Sequence, residues 1–245
     1  MVSAFYLVGS IALDNFTLRH SDIDFIAALS RRVSAQDFEK LRTIHKRIEH
    51  QYPRWKMEGN YFQATDLGRP DEHVEPFPRY HDRKLNWVDK NVLGLVTWWI
   101  LQNKGIAVWG AEPQTLTYTV DMDKLLQDQR ENLNTYWASF TIHPGRILAL
   151  LSDWGVQWTL LGVLRQFYTL REKSIVSKTA AGEYALEHVP DRWHPIIREA
   201  IDLREAPKKS TYHSRFKRAS EAFQFIKYII QLCNADREQP GCDRL

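Results

Sequence analysis

Cysteine is scarce in this sequence. Only Cys233 and Cys242 occur in 245 residues, nine positions apart and with no second pair that would complete a zinc-binding set. Neither a disulfide framework nor a structural zinc site is therefore expected. The cysteine content indicates a cytoplasmic protein with reduced thiols.

Long apolar runs are missing as well. The longest, Val92 to Leu101, spans ten residues, which is about half of what a bilayer crossing needs. The apolar patch from Ala4 to Val8 has no preceding positive charge and no small-residue cleavage site. We therefore expect neither a membrane-spanning helix nor secretion.

The chain also has no strong excess of charge of one sign. It carries 33 basic and 30 acidic residues, a net charge of +3, and 44% of its residues are apolar, as in a soluble globular protein. One basic cluster extends from Lys208 to Arg218. It is either a nucleic-acid contact or a solvated loop and helix face, and the second is our expectation. A nucleic-acid partner is not expected, and the chain is expected to be a monomer.

Hydrophobic patterning changes near residue 118. Before that point, apolar residues with periods of two and of three to four alternate, which predicts strands and helices on one sheet. The predicted elements are strands at 4–8, 23–29 and 55–62, a helix at 34–51, a long surface loop at 68–83, a helix at 88–103 and a strand at 106–109. The fold class is thus α+β, with a mixed-sheet domain at residues 1–118.

After that point the pattern is helical throughout. Segments with helical period follow one another with short connectors, at 121 onward, 145–151, 156–170, 177–188, 190–203 and 212–233. This predicts a C-terminal all-α helical bundle at residues 119–245. A cleft between two such domains is where we expect substrates to bind.

Two aspartates interrupt the second predicted strand. Asp22 and Asp24 are two positions apart, so an extended strand places both carboxylates on one face. Such a pair suits Mg²⁺, which binds one or two carboxylates while phosphates and water complete its shell. The spacing alone is weak evidence for a metal site, because Asp121 and Asp123 have the same spacing and are better explained by helix capping.

The residues around Asp22 and Asp24 make the prediction of a metal site more specific. Gly9 and Ser10 end the first strand, where glycine allows close approach of the backbone to a phosphate and serine donates to its oxygens. Ser21 adds a hydroxyl directly before the first aspartate. A strand ending in Gly-Ser, followed by Ser-Asp-x-Asp, resembles the nucleotidyltransferases of the DNA polymerase β superfamily.

A third acid lies in the next predicted strand. Glu58 is flanked by Trp55, Met57, Tyr61 and Phe62, and an adjacent strand of the same sheet would bring its carboxylate beside Asp22 and Asp24. Nucleotide transfer to a hydroxyl needs the attacking oxygen deprotonated, which a carboxylate can do. Clustered carboxylates repel one another unless a cation is bound, so the trio favours metal binding.

The sequence of the helical half points to one family within this superfamily. The segment WTLLGVLRQFYTLREKSIVSKTAAGEYALEHVP, with the Gly-Ser, Ser-Asp-Ile-Asp and glutamate motifs before it, is similar to the aminoglycoside O-nucleotidyltransferases of the streptomycin/spectinomycin adenylyltransferase type. The resemblance covers roughly residues 5–205. It implies transfer of AMP from ATP to a hydroxyl of an aminoglycoside or aminocyclitol such as spectinomycin or streptomycin, with resistance as the result.

The resemblance also implies roles for single residues. Asp22 and Asp24 would hold Mg²⁺, as two ions, and Glu58 would face the metal and act as the catalytic base. Gly9, Ser10 and Ser21 would contact the triphosphate of ATP. Arg165 and Lys178 match positions that contact ATP from the helical domain.

The acceptor side departs from the family pattern. Trp87 matches a tryptophan that the family places against the drug. The family's acids that attract the drug's ammonium groups are replaced by Leu151 and Gly155, and Asp153 is the nearest carboxylate. Arg204 stands where the family has a tyrosine in the ATP pocket. The acceptor therefore stays open, with a protein or a tRNA end as one alternative and a catalytically silent nucleotide-binding protein as another.

Overall fold

We analysed a computed structural model that describes residues 1–69, 74–88, 93–205 and 210–235. The chain divides into two compact units, Met1–Asp121 and Met122–Leu245. The first contains a sheet and the second is helical. Cys242, Lys208 and Lys209 lie outside the described residues, whereas Cys233 is buried and its thiol is not in a disulfide.

The first unit is built on a mixed sheet. Its strands are β1 (Val2–Leu7), β2 (Ile23–Leu29), β3 (Met57–Gln63), β4 (Phe77–His81), β5 (Lys84–Val88) and β6 (Ile106–Trp109), and its helices are α1 (Gly9–Ala12), α2 (Ala35–Gln51) and α3 (Leu95–Lys104). The described strands have the order β5-β4-β3-β2-β1-β6. Only the pair β2–β3 is parallel among them, because α2 connects its strands as a crossover.

Local signals fix the start of α2. The Ser34 side chain accepts a hydrogen bond from the Asp37 amide, and the Asp37 carboxylate accepts one from the Ser34 amide, which completes a capping box. Phe38 and Leu41 on α2 then pack on Phe25 and Tyr61 of the sheet, so α2 covers one face. The opposite face is left for the acids of β2 and β3.

The second unit is a helical bundle. Its helices are α4 (Met122–Asn132), α5 (Pro144–Ala149), α6 (Asp153–Glu172), α7 (Lys178–His188), α8 (His194–Glu205) and α9 (Arg215–Ala235). The helix α6 is central and packs against α7, α8 and α9. Val156, Leu160 and Phe167 on α6 are fully buried in the core of this unit. The predicted α+β fold class with an all-α C-terminal part is confirmed.

Two predicted elements are wrong. The segment 68–83, predicted as a surface loop, contains β4 and the turn into β5. The helix predicted from residue 88 begins at Leu95, and Val88 instead ends β5. No helix among the described residues is long and apolar enough to cross a membrane.

Candidate active site

The pairing of β2 with β3 brings the predicted acids together. Asp24 is the register partner of Glu58 in this parallel pair, and Ile23 is the partner of Met57. Register partners project to the same side of a sheet, and residues two apart share a face. Asp24 and Glu58 are therefore neighbours on the face opposite α2, at the end of the strands where Asp22 precedes β2.

Gly9 makes room for the Asp24 carboxylate. Its φ is +62°, in the left-handed region that glycine occupies without strain. A Cβ at this position would lie 2.0 Å from Oδ2 of Asp24. The Val8 amide also donates a hydrogen bond of 3.0 Å to the Asp24 carbonyl. The Gly-Ser motif and the Asp-x-Asp motif are thus parts of one structure.

The two serines of the motifs differ in their bonding. The Ser10 hydroxyl oxygen is buried and has no hydrogen-bond partner in the described part of the chain. The Ser21 hydroxyl oxygen accepts a hydrogen bond of 3.1 Å from the Thr17 amide, which leaves its own proton to donate. A buried hydroxyl without a partner is costly, so Ser10 fits a site whose hydrogen bonds are completed by a ligand.

Glu58 has a perturbed acidity. Burial raises the pKa of its carboxyl, and the negative charges of Asp22 and Asp82 add to the rise, while His81 and Arg79 oppose it. The His81 Nε2 atom lies 3.4 Å from Oε2 of Glu58. A carboxylate with a raised pKa is a better proton acceptor, which is what a general base requires.

A tight turn delivers His81 and Asp82 to this site. His81 pairs with Lys84 across the β4–β5 hairpin, so Asp82 and Arg83 form a two-residue loop. Their φ angles are 48° and 59°, as in a type I′ turn. Neither residue was predicted from the sequence, because Asp-Arg replaces the usual Asn-Gly signal and residues 68–83 show no strand or helix period.

The chemistry of the donors suits magnesium. Carboxylate and hydroxyl oxygens are the ligands that this ion prefers. Asp22 and Glu58 line a cavity of about 80 Å³ at the end of the strands, which also reaches His45 and Glu49 of α2 and is not lined by Asp24. No group of three His, Cys, Asp or Glu residues in the described ranges is arranged as a metal cluster. The type of donor suits the ion, and the metal site stays a prediction.

Trp87 is not near the acids. It lies in β5, not at the start of a helix, and its ring stacks on Phe38 of α2 with 5.2 Å between centroids. The pairs Gly59–Tyr80, Tyr80–Leu85 and Pro78–Trp87 place it on the α2 face of the sheet. Trp87, which the resemblance places against the drug, therefore faces α2 rather than the acids.

The Asp153 carboxylate forms an ion pair with an arginine. As the first residue of α6, it accepts a hydrogen bond of 2.7 Å from Arg218. Arg218 is itself buried, so it cannot belong to a basic surface as the sequence suggested. This pairing leaves Asp153 poorly suited to attract a cationic acceptor.

The predicted ATP contacts of the helical unit lie on α6 and α7. Lys178 begins α7, where the Ser177 side chain accepts a hydrogen bond from the Ala180 amide, and Arg165 lies in the middle of α6. Arg204, near the end of α8, is 5% exposed, and burial lowers the pKa of its guanidinium. A cation at the first turn of α7 is repelled by the positive end of the helix dipole. A phosphate bound between them would turn this repulsion into an attraction of both for the phosphate.

Two comparisons with known proteins found a match. Residues 134–230 match the family model described as "Aminoglycoside adenylyltransferase, C-terminal domain". The structure resembles the crystal structure of spectinomycin adenyltransferase AAD(9) from Enterococcus faecialis with ATP and spectinomycin, with a TM-score of 0.66 and 13% sequence identity over 94% of this chain and 92% of that one. No curated protein matches the sequence.

The two matches support different statements. The family match confirms the resemblance and the enzyme class predicted from the sequence, and it rests on the helical unit. The structural match confirms the fold of both units.

Proposed function

We propose that this enzyme transfers AMP from ATP to a hydroxyl of an aminoglycoside or aminocyclitol. The proposal starts from the match of the helical unit to the family model of the C-terminal domain of aminoglycoside adenylyltransferases. Spectinomycin and streptomycin are the proposed acceptors, and resistance is the proposed result. The observation that carries the proposal is the register pairing of Asp24 with Glu58 beside Gly9.

In this proposal Glu58 accepts the proton of the acceptor hydroxyl. The half-buried carboxyl with its raised pKa supports that role. Asp22, Asp24 and Glu58 would hold magnesium, as two ions, which supplies neutralisation of charge on the α-phosphate and the departing pyrophosphate. The unpartnered Ser10 hydroxyl donates to a phosphate oxygen, with Gly9 and Ser21 as further triphosphate contacts.

The helical unit contributes positive charge. Arg165 and Lys178 are proposed to bind ATP, as the resemblance implied. The solved relative was crystallised with ATP and spectinomycin, which supports ATP as co-substrate and spectinomycin as the first acceptor to test. Trp87 and Asp153 are left out of the acceptor site, because each already packs or pairs elsewhere.

The proposal is tested by pyrophosphate release from ATP and magnesium with each drug in turn. We expect release with at least one acceptor and its loss, by roughly a hundredfold or more, in Glu58→Gln and in Asp24→Asn. Asp123→Asn is the matched control, since it removes a carboxylate from the other Asp-x-Asp pair at the first turn of α4. Full activity in both site variants would refute the mechanism.

Two further measurements separate the alternatives. Labelling of a protein or a tRNA end from radiolabelled ATP, without response to drugs, would indicate a macromolecular acceptor. The basic cluster from Lys208 to Arg218 would then matter, but Arg218 is buried and does not contribute to a basic surface. ATP binding without turnover across a broad acceptor panel would indicate a silent relative. A monomer in the cytoplasm remains our expectation.

A further inference from the structure

An aromatic ring borders the cavity at the end of the strands. Trp55, two residues before β3, lines this cavity together with Asp22 and Glu58. Its ring stacks on Phe16 with 5.9 Å between centroids, yet Trp55 is 44% exposed, although tryptophan is normally largely buried. The stack holds the ring beside the acids and leaves part of its surface to a ligand. Trp55, and not Trp87, is therefore the aromatic residue of the candidate active site.

The inner wall of the cavity is built from α2 and β4. His45 and Glu49 line it, one helical turn apart on α2, as does Tyr80 of β4. His45 is 3% exposed, and its Nε2 atom lies 2.8 Å from the Tyr61 hydroxyl oxygen. Its Nδ1 atom is buried without a hydrogen-bond partner in the described part of the chain. Such an atom costs free energy, which a polar group bound in the cavity would recover.

Acids outnumber bases on the cavity wall. The charged residues that line it in the described ranges are the acids Asp22, Glu49, Glu58 and Asp82 and the bases Lys56 and Arg83. Both bases are exposed, and the Arg83 guanidinium donates a hydrogen bond of 2.9 Å to the Pro53 carbonyl. Water screens such charges. Glu49 is only partly exposed, so its charge is screened less, and the inner end of the cavity favours a cation.

Glu49 is the acid that remains for an organic ligand. Asp22 and Glu58 belong to the proposed magnesium site, and Asp82 is exposed at the turn. The Glu49 carboxylate accepts a hydrogen bond from the Tyr80 hydroxyl. An ionised carboxylate accepts several hydrogen bonds, so Glu49 can accept a further one from a ligand.

The volume of the cavity limits what can enter. One water needs about 10–15 Å³ of such space, so about 80 Å³ holds a group of a few heavy atoms and not a whole aminocyclitol. A protonated amino substituent has this size. It carries the charge that Glu49 attracts, it supplies N–H donors, and it binds to the face of an aromatic ring such as Trp55.

We propose that this cavity is a subsite for a protonated amino group of the acceptor, held by the Trp55 ring and the Glu49 carboxylate. That the ligand is the acceptor of AMP rests on the proposed function. Glu58 lines the same cavity, so an acceptor ring anchored there presents a neighbouring hydroxyl to the proposed base. Trp55 and Glu49 thus select aminated acceptors over acceptors without a charged amine.

The test measures drug binding by calorimetry at pH 7 with magnesium and a non-hydrolysable ATP analogue present. Spectinomycin is compared with a fully N-acetylated derivative, which has no protonated amine. We expect Glu49→Gln to weaken spectinomycin binding at least about 10-fold and Trp55→Ala roughly 2- to 30-fold, with Trp55→Phe retaining most of the affinity. The acetylated derivative should bind more weakly than spectinomycin, and no more weakly to the variants than to the wild type.

Two variants serve as matched controls. Trp109→Ala removes a 67% exposed tryptophan of the sheet unit, and Glu39→Gln removes an exposed acid of α2 that pairs with Arg42. Both should bind spectinomycin like the wild type. Binding of the ATP analogue should stay unchanged in Trp55→Ala and Glu49→Gln, which shows that these variants are folded.

Spectinomycin affinity at the wild-type value in Trp55→Ala or in Glu49→Gln would overturn the subsite. Equal affinity of the wild type for spectinomycin and its acetylated derivative would overturn it as well. Drug binding that depends on both residues, without release of pyrophosphate, would refute AMP transfer and leave the subsite standing. Release of pyrophosphate with an unchanged KM for the drug in both variants would do the reverse, and absence of both binding and release would refute both.

Discussion

Arg218 and Glu199 form an ion pair inside the helical unit, with 3.0 Å between Nη1 and Oε1 and each side chain only 1% exposed. Arg218 also binds Asp153, so one residue of α9 ties the start of α6 to α8. Burial acts to raise the pKa of Glu199, but hydrogen bonds from Ser210, Arg218 and Thr211 outweigh it and lower that pKa. The pair is therefore ionised and fully enclosed.

Removing the arginine should destabilise the protein strongly. We expect Arg218→Met to lower the free energy of unfolding by about 3–5 kcal/mol, because Glu199 is left as an unpaired buried charge. Urea denaturation at pH 7 measures the change. Adding Glu199→Leu to this variant should recover part of the loss, since no buried charge then remains.

The control for this prediction is an exposed ion pair. Arg32 and Glu75 are 3.2 Å apart and more than half exposed, so Arg32→Met should change the free energy of unfolding by less than about 1 kcal/mol. A loss below about 1 kcal/mol in Arg218→Met would contradict the role assigned to the buried pair.

Gly9 should be the least replaceable glycine of the site. A Cβ there would overlap the Asp24 carboxylate, and the left-handed φ costs a non-glycine residue about 1–2 kcal/mol. We expect Gly9→Ala to reduce pyrophosphate release by about a hundredfold, because a shift of about 1 Å in a reacting group costs that much.

Gly145 provides the comparison, because nothing lies within 4 Å of a Cβ added at that position. Gly145→Ala should retain the wild-type rate. If Gly9→Ala keeps its rate within a factor of about three, Asp24 does not need the placement that Gly9 allows.

Part of this site was predictable from the sequence because its signals are local. The apolar run that ends β2 and the apolar residues three or four apart in α2 indicate a strand and a helix by themselves. A crossover helix between two strands then favours their parallel pairing. That Asp24 and Glu58 lie next to each other follows from these steps without knowledge of the tertiary structure.

The remaining features depend on an unusual turn or on contacts distant in sequence. The Asp82-Arg83 turn uses two non-glycine residues with positive φ, so no turn signal marked the hairpin that places His81. Trp87 matched a family position, but its strand turns it onto Phe38. Arg218 looked like a surface cation until its partner Glu199, 19 residues away, was seen.

His45 should make stability depend on pH. Its Nε2 atom is 2.8 Å from the Tyr61 hydroxyl oxygen, its ring stacks on Tyr80, and burial lowers its pKa from 6.5 to about 4. The folded state therefore keeps His45 neutral where the unfolded state has already bound a proton. Above pH 6.5 the imidazole is neutral in both states, so His45 does not affect the free energy of unfolding. As the pH falls from 6.5 to 4, proton binding to His45 stabilises the unfolded state only, and the free energy of unfolding decreases.

We expect this residue to lower the free energy of unfolding by up to about 3 kcal/mol between pH 7 and pH 4, at 1.4 kcal/mol for each unit of pKa difference. Urea denaturation across that range should show a shallower pH dependence in His45→Leu than in the wild type. His213→Leu removes an exposed imidazole and should keep the wild-type slope. Parallel slopes for His45→Leu and the wild type would mean that the buried imidazole is protonated in the folded state, which its enclosure between Tyr61 and Tyr80 opposes.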